Sequence, residues 1–180
     1  MRCLIDPAAD EASLRTMAHA SLRVHGAISD RKVPRRGDIE MMFPFELCDD
    51  GDVQILGDTL MSSSQCCSLS QADNVMVVLF TMMGVDGRQS ITLIDHHGEK
   101  TRENSQAERY QAVLRGFGSD LPHLNDILAS AFGSTKGIAL LSATLCAVAS
   151  HLEQTANHAR DRVPVASYEG KSSRMMCDLT

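Results

Sequence analysis

An α+β fold is predicted by three features of the chain: a helical period near the N-terminus, an alternating period from Asp38, and an apolar run at Asn74–Met83. The expected architecture is an antiparallel sheet of about five to six strands with helices packed mainly on one face. Asp6 as N-cap and Pro7 at the first helical position open a helix over residues 7–24, with Leu14, Met17, Ala18, Ser21 and Leu22 at helical spacing and Gly26 as its stop. Residues 29–37 carry prolines and basic side chains and read as a mobile connection.

From Asp38, Ile39, Met41, Phe43, Phe45 and Leu47 alternate with polar or smaller residues, the mark of a strand with one apolar face. Pro44 lacks a backbone donor and places that strand at a sheet edge or bulge. Asp49-Asp50-Gly51-Asp52 supplies a turn, and Val53 to Ser62 closes a hairpin. Asn74 to Met83 is apolar at nearly every position, so it is expected to be a central strand covered on both faces, with Gln89–Ile94 pairing back onto it. Helices are expected over residues 105–114 and from 121 to about Gly133, the second on the stripe Leu121, Leu124, Ile127, Leu128 and Ala131. Residues 137–142 fit either a buried strand or the start of the helix that carries Leu145, Val148, Ala149, Leu152 and Ala156. Val163–Tyr168 reads as one more edge strand, and the polar stretch from residue 170 to 180 as a disordered tail. The organisation is thus a helix and basic linker over residues 1–37, one α+β domain over 38–169, and the tail.

A chain of 180 residues with 43% hydrophobic and 22% charged side chains has room for one core and no second domain. Its net charge of −6 disfavours a nucleic-acid partner, because only Arg31, Lys32, Arg35 and Arg36 cluster. Asp6 and Pro7 interrupt any signal-peptide core, and no apolar stretch approaches the ~20 residues of a membrane span. A cytosolic or nuclear location follows, with the six cysteines as thiols and no C-x-x-C pair among them.

The sharpest chemical pattern is Leu93-Ile94-Asp95-His96-His97, a carboxylate and two imidazoles after an apolar strand. It resembles the strand end that binds metal in the DHH phosphoesterases, and that resemblance implies a manganese site completed by further aspartates, for which Asp58 is the first candidate and Asp49, Asp50 and Asp52 are the others. The paired-aspartate motif of that family has no clear counterpart, since Asp50-Gly51-Asp52 reads as a hairpin turn. Ser62-Ser63-Ser64 and Ser142 lack a nucleophile elbow, Cys146 sits in an apolar stripe, and His19, His123, His151 and His158 lie at helical positions without a second ligand. No cofactor is expected.

Protein binding is the better reading. Along a strand, Met76, Val78, Phe80 and Met82 share one face while Val75, Val77, Leu79 and Met83 share the other. The first set, with Phe43 and Phe45, is expected at a subunit interface. Leu121-Pro122-His123-Leu124-Asn125-Asp126-Ile127-Leu128, then Ile138 to Leu145, then Val148–Leu152 and Val163–Tyr168, resemble in order a stretch of the proteasome assembly chaperone 4 family. The resemblance spans residues 38–169 and is detailed over about 50 of them, with residues 85–119 as an insertion. It implies a non-catalytic chaperone that pairs with a chaperone 3-like subunit, binds proteasome α-subunits and assists assembly of the 20S α-ring. The alternatives are a metal-dependent phosphoesterase at Asp95, His96, His97 and Asp58, and a homodimeric α+β adaptor.

Overall fold

The computed structural model describes residues 9–30, 32, 34–38, 45–47, 53–55, 58–61, 67–84, 89–96, 108–117 and 125–161. The fold is α+β, with antiparallel sheet and helices, in the order α1 (Glu11–Ser29), β1 (Phe45–Leu47), β2 (Val53–Ile55), β3 (Asp58–Met61), α2 (Leu69–Met82), β4 (Gln89–Asp95), β5 (Tyr110–Phe117), β6 (Asn125–Gly133) and α3 (Lys136–Asp161). The strands form two three-stranded antiparallel sheets, β1-β2-β3 and β4-β5-β6. Among the described residues they do not join into the single larger sheet expected from the sequence.

Helix α1 starts later than Asp6. Asp10 is the cap, its carboxylate accepting from Ser13 N at 2.8 Å; the Ser13 hydroxyl first, and this backbone bond after it, hold its pKa below the ordinary aspartate value. The helix runs through Gly26 to Ser29, burying Leu14, Ala18, Ser21, Val24 and Ile28 along one stripe. The chain beyond it folds back. Lys32 N donates to Ala27 O at 2.8 Å, and the Arg23 guanidinium grips Asp38 through Nε at 2.9 Å. Asp38 therefore lies in a helical turn with residues 36 and 37, not in a strand. β1 and β2 pair as the expected hairpin, with Glu46 opposite Gln54, but Val53–Ser62 is not one strand: β3 turns back onto β2 with Gln54 opposite Thr59.

The largest correction concerns residues 74–83, of which Asn74–Met82 is helix and Met83 its C-cap. Ser68 and Gln71 form a reciprocal capping box, Ser68 Oγ accepting from Gln71 N at 3.3 Å while Gln71 Oε1 accepts from Ser68 N at 2.9 Å. Gly84, at φ 65°, stops α2, its N–H donating to Thr81 O at 3.1 Å. The buried residues Ala72, Val75, Met76, Leu79, Phe80 and Met83 then follow the i, i+3, i+4 rhythm of one helical face. β4 consequently pairs with β5, from Gln89 opposite Gly116 to Asp95 opposite Tyr110. β5 and β6 replace the two expected helices and pair with each other, apart from an extra residue in β6 at the Leu114/Arg115 step.

Helix α3 resolves the ambiguity over residues 137–142 in favour of helix. Thr135 caps it, with Oγ1 accepting from Ile138 N at 3.2 Å and the carbonyl from Ala139 N at 3.0 Å. α3 packs on β5 and β6, with α1 and α2 against it in turn, so every residue from Gly137 to Leu145 is buried. Ser21 Oγ in α1 donates to Leu145 O at 2.9 Å, and Arg15 donates to Asn157 Oδ1 at 2.8 Å, so α1 and α3 run antiparallel. A Cβ at Gly137 would lie 2.1 Å from Cys67 O, and one at Gly133 would lie 2.5 Å from Ala139 N. Both glycines are close-approach sites. The sequence-predicted strand Val163–Tyr168 and the tail lie outside the described residues, as do most of the first predicted strand and its Phe43.

Two outcomes follow for stability. Gly137→Ala should cost about 1–3 kcal/mol by overpacking, whereas Gly26→Ala, with open space at its Cβ in mid-helix, should add about 0.5–1 kcal/mol; urea unfolding of both variants checks the opposite signs. Burial lowers the pKa of His25 in α1 and His151 in α3 below 6.5. Their contribution is complete above the unfolded value and is lost as pH falls through 6.5 toward the lower folded values, because the unfolded chain then binds the protons. The thermal midpoint should therefore drop on acidification from pH 7.5 to 5.5, with a shallower slope in the His25→Gln, His151→Gln double variant.

Candidate functional site: the two faces of the β4–β6 sheet

The register of β4, β5 and β6 sorts the side chains into two faces. Leu93, Ala112 and Ala131 form one cross-strand row, Ile91, Leu114 and Ala129 the next, and Asp95, Tyr110 and Gly133 the last. These rows face α3: Ala112 and Leu114 are fully buried, and Leu93, Tyr110 and Ala129 pack at the margin of the same core. The opposite face carries the rows Ile94, Gln111, Phe132 and Thr92, Val113, Ser130.

That outer face has its own organisation. Gln111 Nε2 donates to Ser130 Oγ at 2.9 Å, and its Oε1 lies 3.2 Å from His96 Nε2. The His96 ring tilts against Phe132 at a centroid separation of 5.8 Å. Around this polar chain, Phe132 is 45% and Ile94 38% exposed, while Val113 between the flanking strands is only 8% exposed. Large apolar side chains held beside a fixed hydrogen-bonded chain, on a sheet rather than a loop, make a rigid amphipathic platform.

The Asp95-His96-His97 pattern comes apart in three dimensions. Successive residues of a strand point to opposite faces, so Asp95 stands in the α3-facing row while His96 joins Gln111 and Phe132 on the outer face. The Asp95 carboxylate is held by Arg109, Nε to Oδ1 at 3.3 Å and a terminal nitrogen to Oδ2 at 3.4 Å, which raises the guanidinium pKa. Arg109 in turn lies over the Tyr110 ring, 4.9 Å from its centroid. Asp58 belongs to β3 in the other sheet, and His97 lies outside the described residues. Among the described residues, no group of three or more His, Cys, Asp or Glu side chains could hold a metal ion.

The expected interface set is divided as well. Met76 and Phe80 are buried in the core stripe of α2, Val78 is half-buried, and Phe45 lies in β1; the alternation that was to place Met76, Val78, Phe80 and Met82 on one sheet face does not apply to a helix. Val77, assigned to the opposite face, is 55% exposed. Ser142 is fully buried, and burial raises the Cys146 thiol pKa, so neither is poised as a nucleophile. The sequence alone does not single out Gln111, Ser130 and Phe132, because their segments read as helices. The signal was the alternation of Gln111, Val113 and Arg115 with Ala112, Leu114 and Gly116.

No family model, curated protein or solved structure matches this chain. Among the described residues no helix is long and apolar enough to cross a membrane.

Manganese(II) titrated into the full chain should leave its thermal midpoint unchanged, because chelation would have to recruit side chains from opposite faces of β4. A saturable rise abolished by Asp95→Ala would show that the metal site assembles.

Proposed function

We propose that this protein works by binding other proteins without catalysis, through the outer face of the β4–β6 sheet. The observation that carries the reading is the exposure of Phe132 and Ile94 around Val113, on a face kept rigid by the His96–Gln111–Ser130 chain. Apolar anchors beside fixed polar groups suit a partner that covers the apolar residues and excludes water from the rest. The division of Asp95 and His96 between two faces weighs against the phosphoesterase reading.

The narrower proposal is the one the chaperone 4 resemblance implies: pairing with a chaperone 3-like subunit and assisting assembly of the proteasome α-ring, in the cytosol or nucleus. Its support is the sequence resemblance over residues 121–168. In the structure β6 stands where the apolar stripe from Leu121 predicts a helix, and residues 137–142 are helix. The broader protein-binding reading does not depend on it.

Affinity capture from the native cell, followed by mass spectrometry, should recover a stable partner with the wild-type chain. Phe132→Asp should weaken that complex by about 30-fold or more, the scale of losing an interface anchor, with an unchanged thermal midpoint. Asp95→Asn should have no effect on capture. Proteasome α-subunits and a chaperone 3-like chain among the captured proteins would support the narrower form; equal capture by wild type and Phe132→Asp would sink the outer-face reading.

A further inference from the structure

The two edges of the β4-β5-β6 sheet differ. β6 carries the bulge, an extra residue opposite the Leu114/Arg115 step of β5, a device that bends an edge away from further pairing. Among the described residues β4 shows none of the usual protections. Its pairing with β5 is continuous over Gln89–Asp95, it contains no proline, lysine or arginine, and its one charge is Asp95 at the end. The direction of its backbone groups follows from one bond: His96 N donates to Arg109 O beside β5, at 3.0 Å. By the two-residue period, Ile94, Thr92 and Ser90 also turn their N–H and C=O toward β5, while Ile91 and Leu93 turn theirs to the open side. Among the described residues nothing pairs with the Ile91 and Leu93 backbone groups, and Ile91 leaves 37% of its surface exposed beside them.

We propose that the β4 edge pairs antiparallel with β4 of a second copy of this chain, about a two-fold axis at Thr92. The strand's own sequence selects this occupant. Gln-Ser-Ile-Thr-Leu-Ile-Asp is close to self-complementary about its centre: Ile91 faces the second copy's Leu93 on the α3 side, Ser90 faces its Ile94 on the outer side, and Asp95 falls opposite a neutral Gln89. Shifting the axis to Ile91 or Leu93 leaves part of the strand unpaired. In the Thr92 register the outward groups of Ile91 and Leu93 bond to their counterparts, Ile91 is covered, and two three-stranded sheets become one of six. The Thr92 pair is of the non-hydrogen-bonded kind, with Cα atoms about 4.5 Å apart. This pairing uses the sheet edge and leaves the outer face available, so it stands apart from the proposed function.

Light scattering of the full chain at tens of micromolar should give twice the 19.6 kDa chain mass. Thr92→Lys sets two ammonium groups against each other across the axis and should weaken the dimer by roughly 100-fold or more, leaving monomer with native circular dichroism. Mixing Thr92→Lys with Thr92→Asp should restore dimers. Thr92→Cys should cross-link to a dimer under mild oxidation, while Ser90→Cys, which faces Ile94, should cross-link no more than wild type. A monomeric wild type, as expected if a different chain fills the edge, overturns the proposal. So does a Thr92→Lys chain that stays dimeric, or a Thr92→Cys chain that fails to cross-link.

Discussion

Burial of the first half of α3 is the constraint on which the remaining structure depends. From Gly137 to Leu145 the helix has no solvent face, because β5 and β6 lie against it and α1 and α2 cover it elsewhere. Such a helix must be apolar all round and must also be thin where neighbours approach. The segment Gly-Ile-Ala-Leu-Leu-Ser-Ala-Thr-Leu meets both needs, with Leu140, Leu141 and Leu145 filling space and Gly137, Ala139 and Ala143 admitting close contacts. Its two buried hydroxyls differ: Thr144 donates to Leu140 O within the helix at 2.9 Å, whereas Ser142 Oγ has no hydrogen-bond partner among the described residues. Gly133 extends the same logic to the sheet, letting the chain leave β6 and turn directly into α3.

The sheet inherits an inequality from that packing. One face is committed to α3 and is lined by small or aliphatic residues, Ala112, Leu114 and Ala131. The other bears Ile94 and Phe132 with a threaded polar chain of His96, Gln111 and Ser130. Isolated exposed apolar residues are ordinary on protein surfaces. Here they sit in one cross-strand row with Gln111 between them, which gives the face both hydrophobic area and orientation. The same period that makes the sheet two-faced dismantles the apparent Asp-His motif, because adjacency along a strand is separation across it.

Most misassigned elements share one physical cause. A short apolar run satisfies strand and helix equally, and the arbiter is often a cap outside the run. For Asn74–Met83 the arbiter was Ser68 with Gln71, a capping box readable from the letters, followed by Gly84 as the stop. For β6 the apparent helical stripe of Leu124, Ile127, Leu128 and Ala131 competed with an alternation in which Ala129, Ala131 and Gly133 face the core and Ser130 and Phe132 do not. Alanine and glycine carry little hydropathy signal, so the inner face of that strand was nearly invisible.

The sequence by itself determined the α+β class, the N-terminal helix, the hairpin pairing of Phe45–Leu47 with Val53–Ile55, the β4 strand and the long helix through Leu145 and Ala156. Each rests on local periodicity or a turn signal, and local signals survive without tertiary context. Only the tertiary structure decided which strands pair, that α2 is a helix, and that Gln111, Ser130 and Phe132 converge on one face. Those depend on which small residues let α3 approach the sheet, and close packing between segments distant in sequence leaves no periodic mark in either of them.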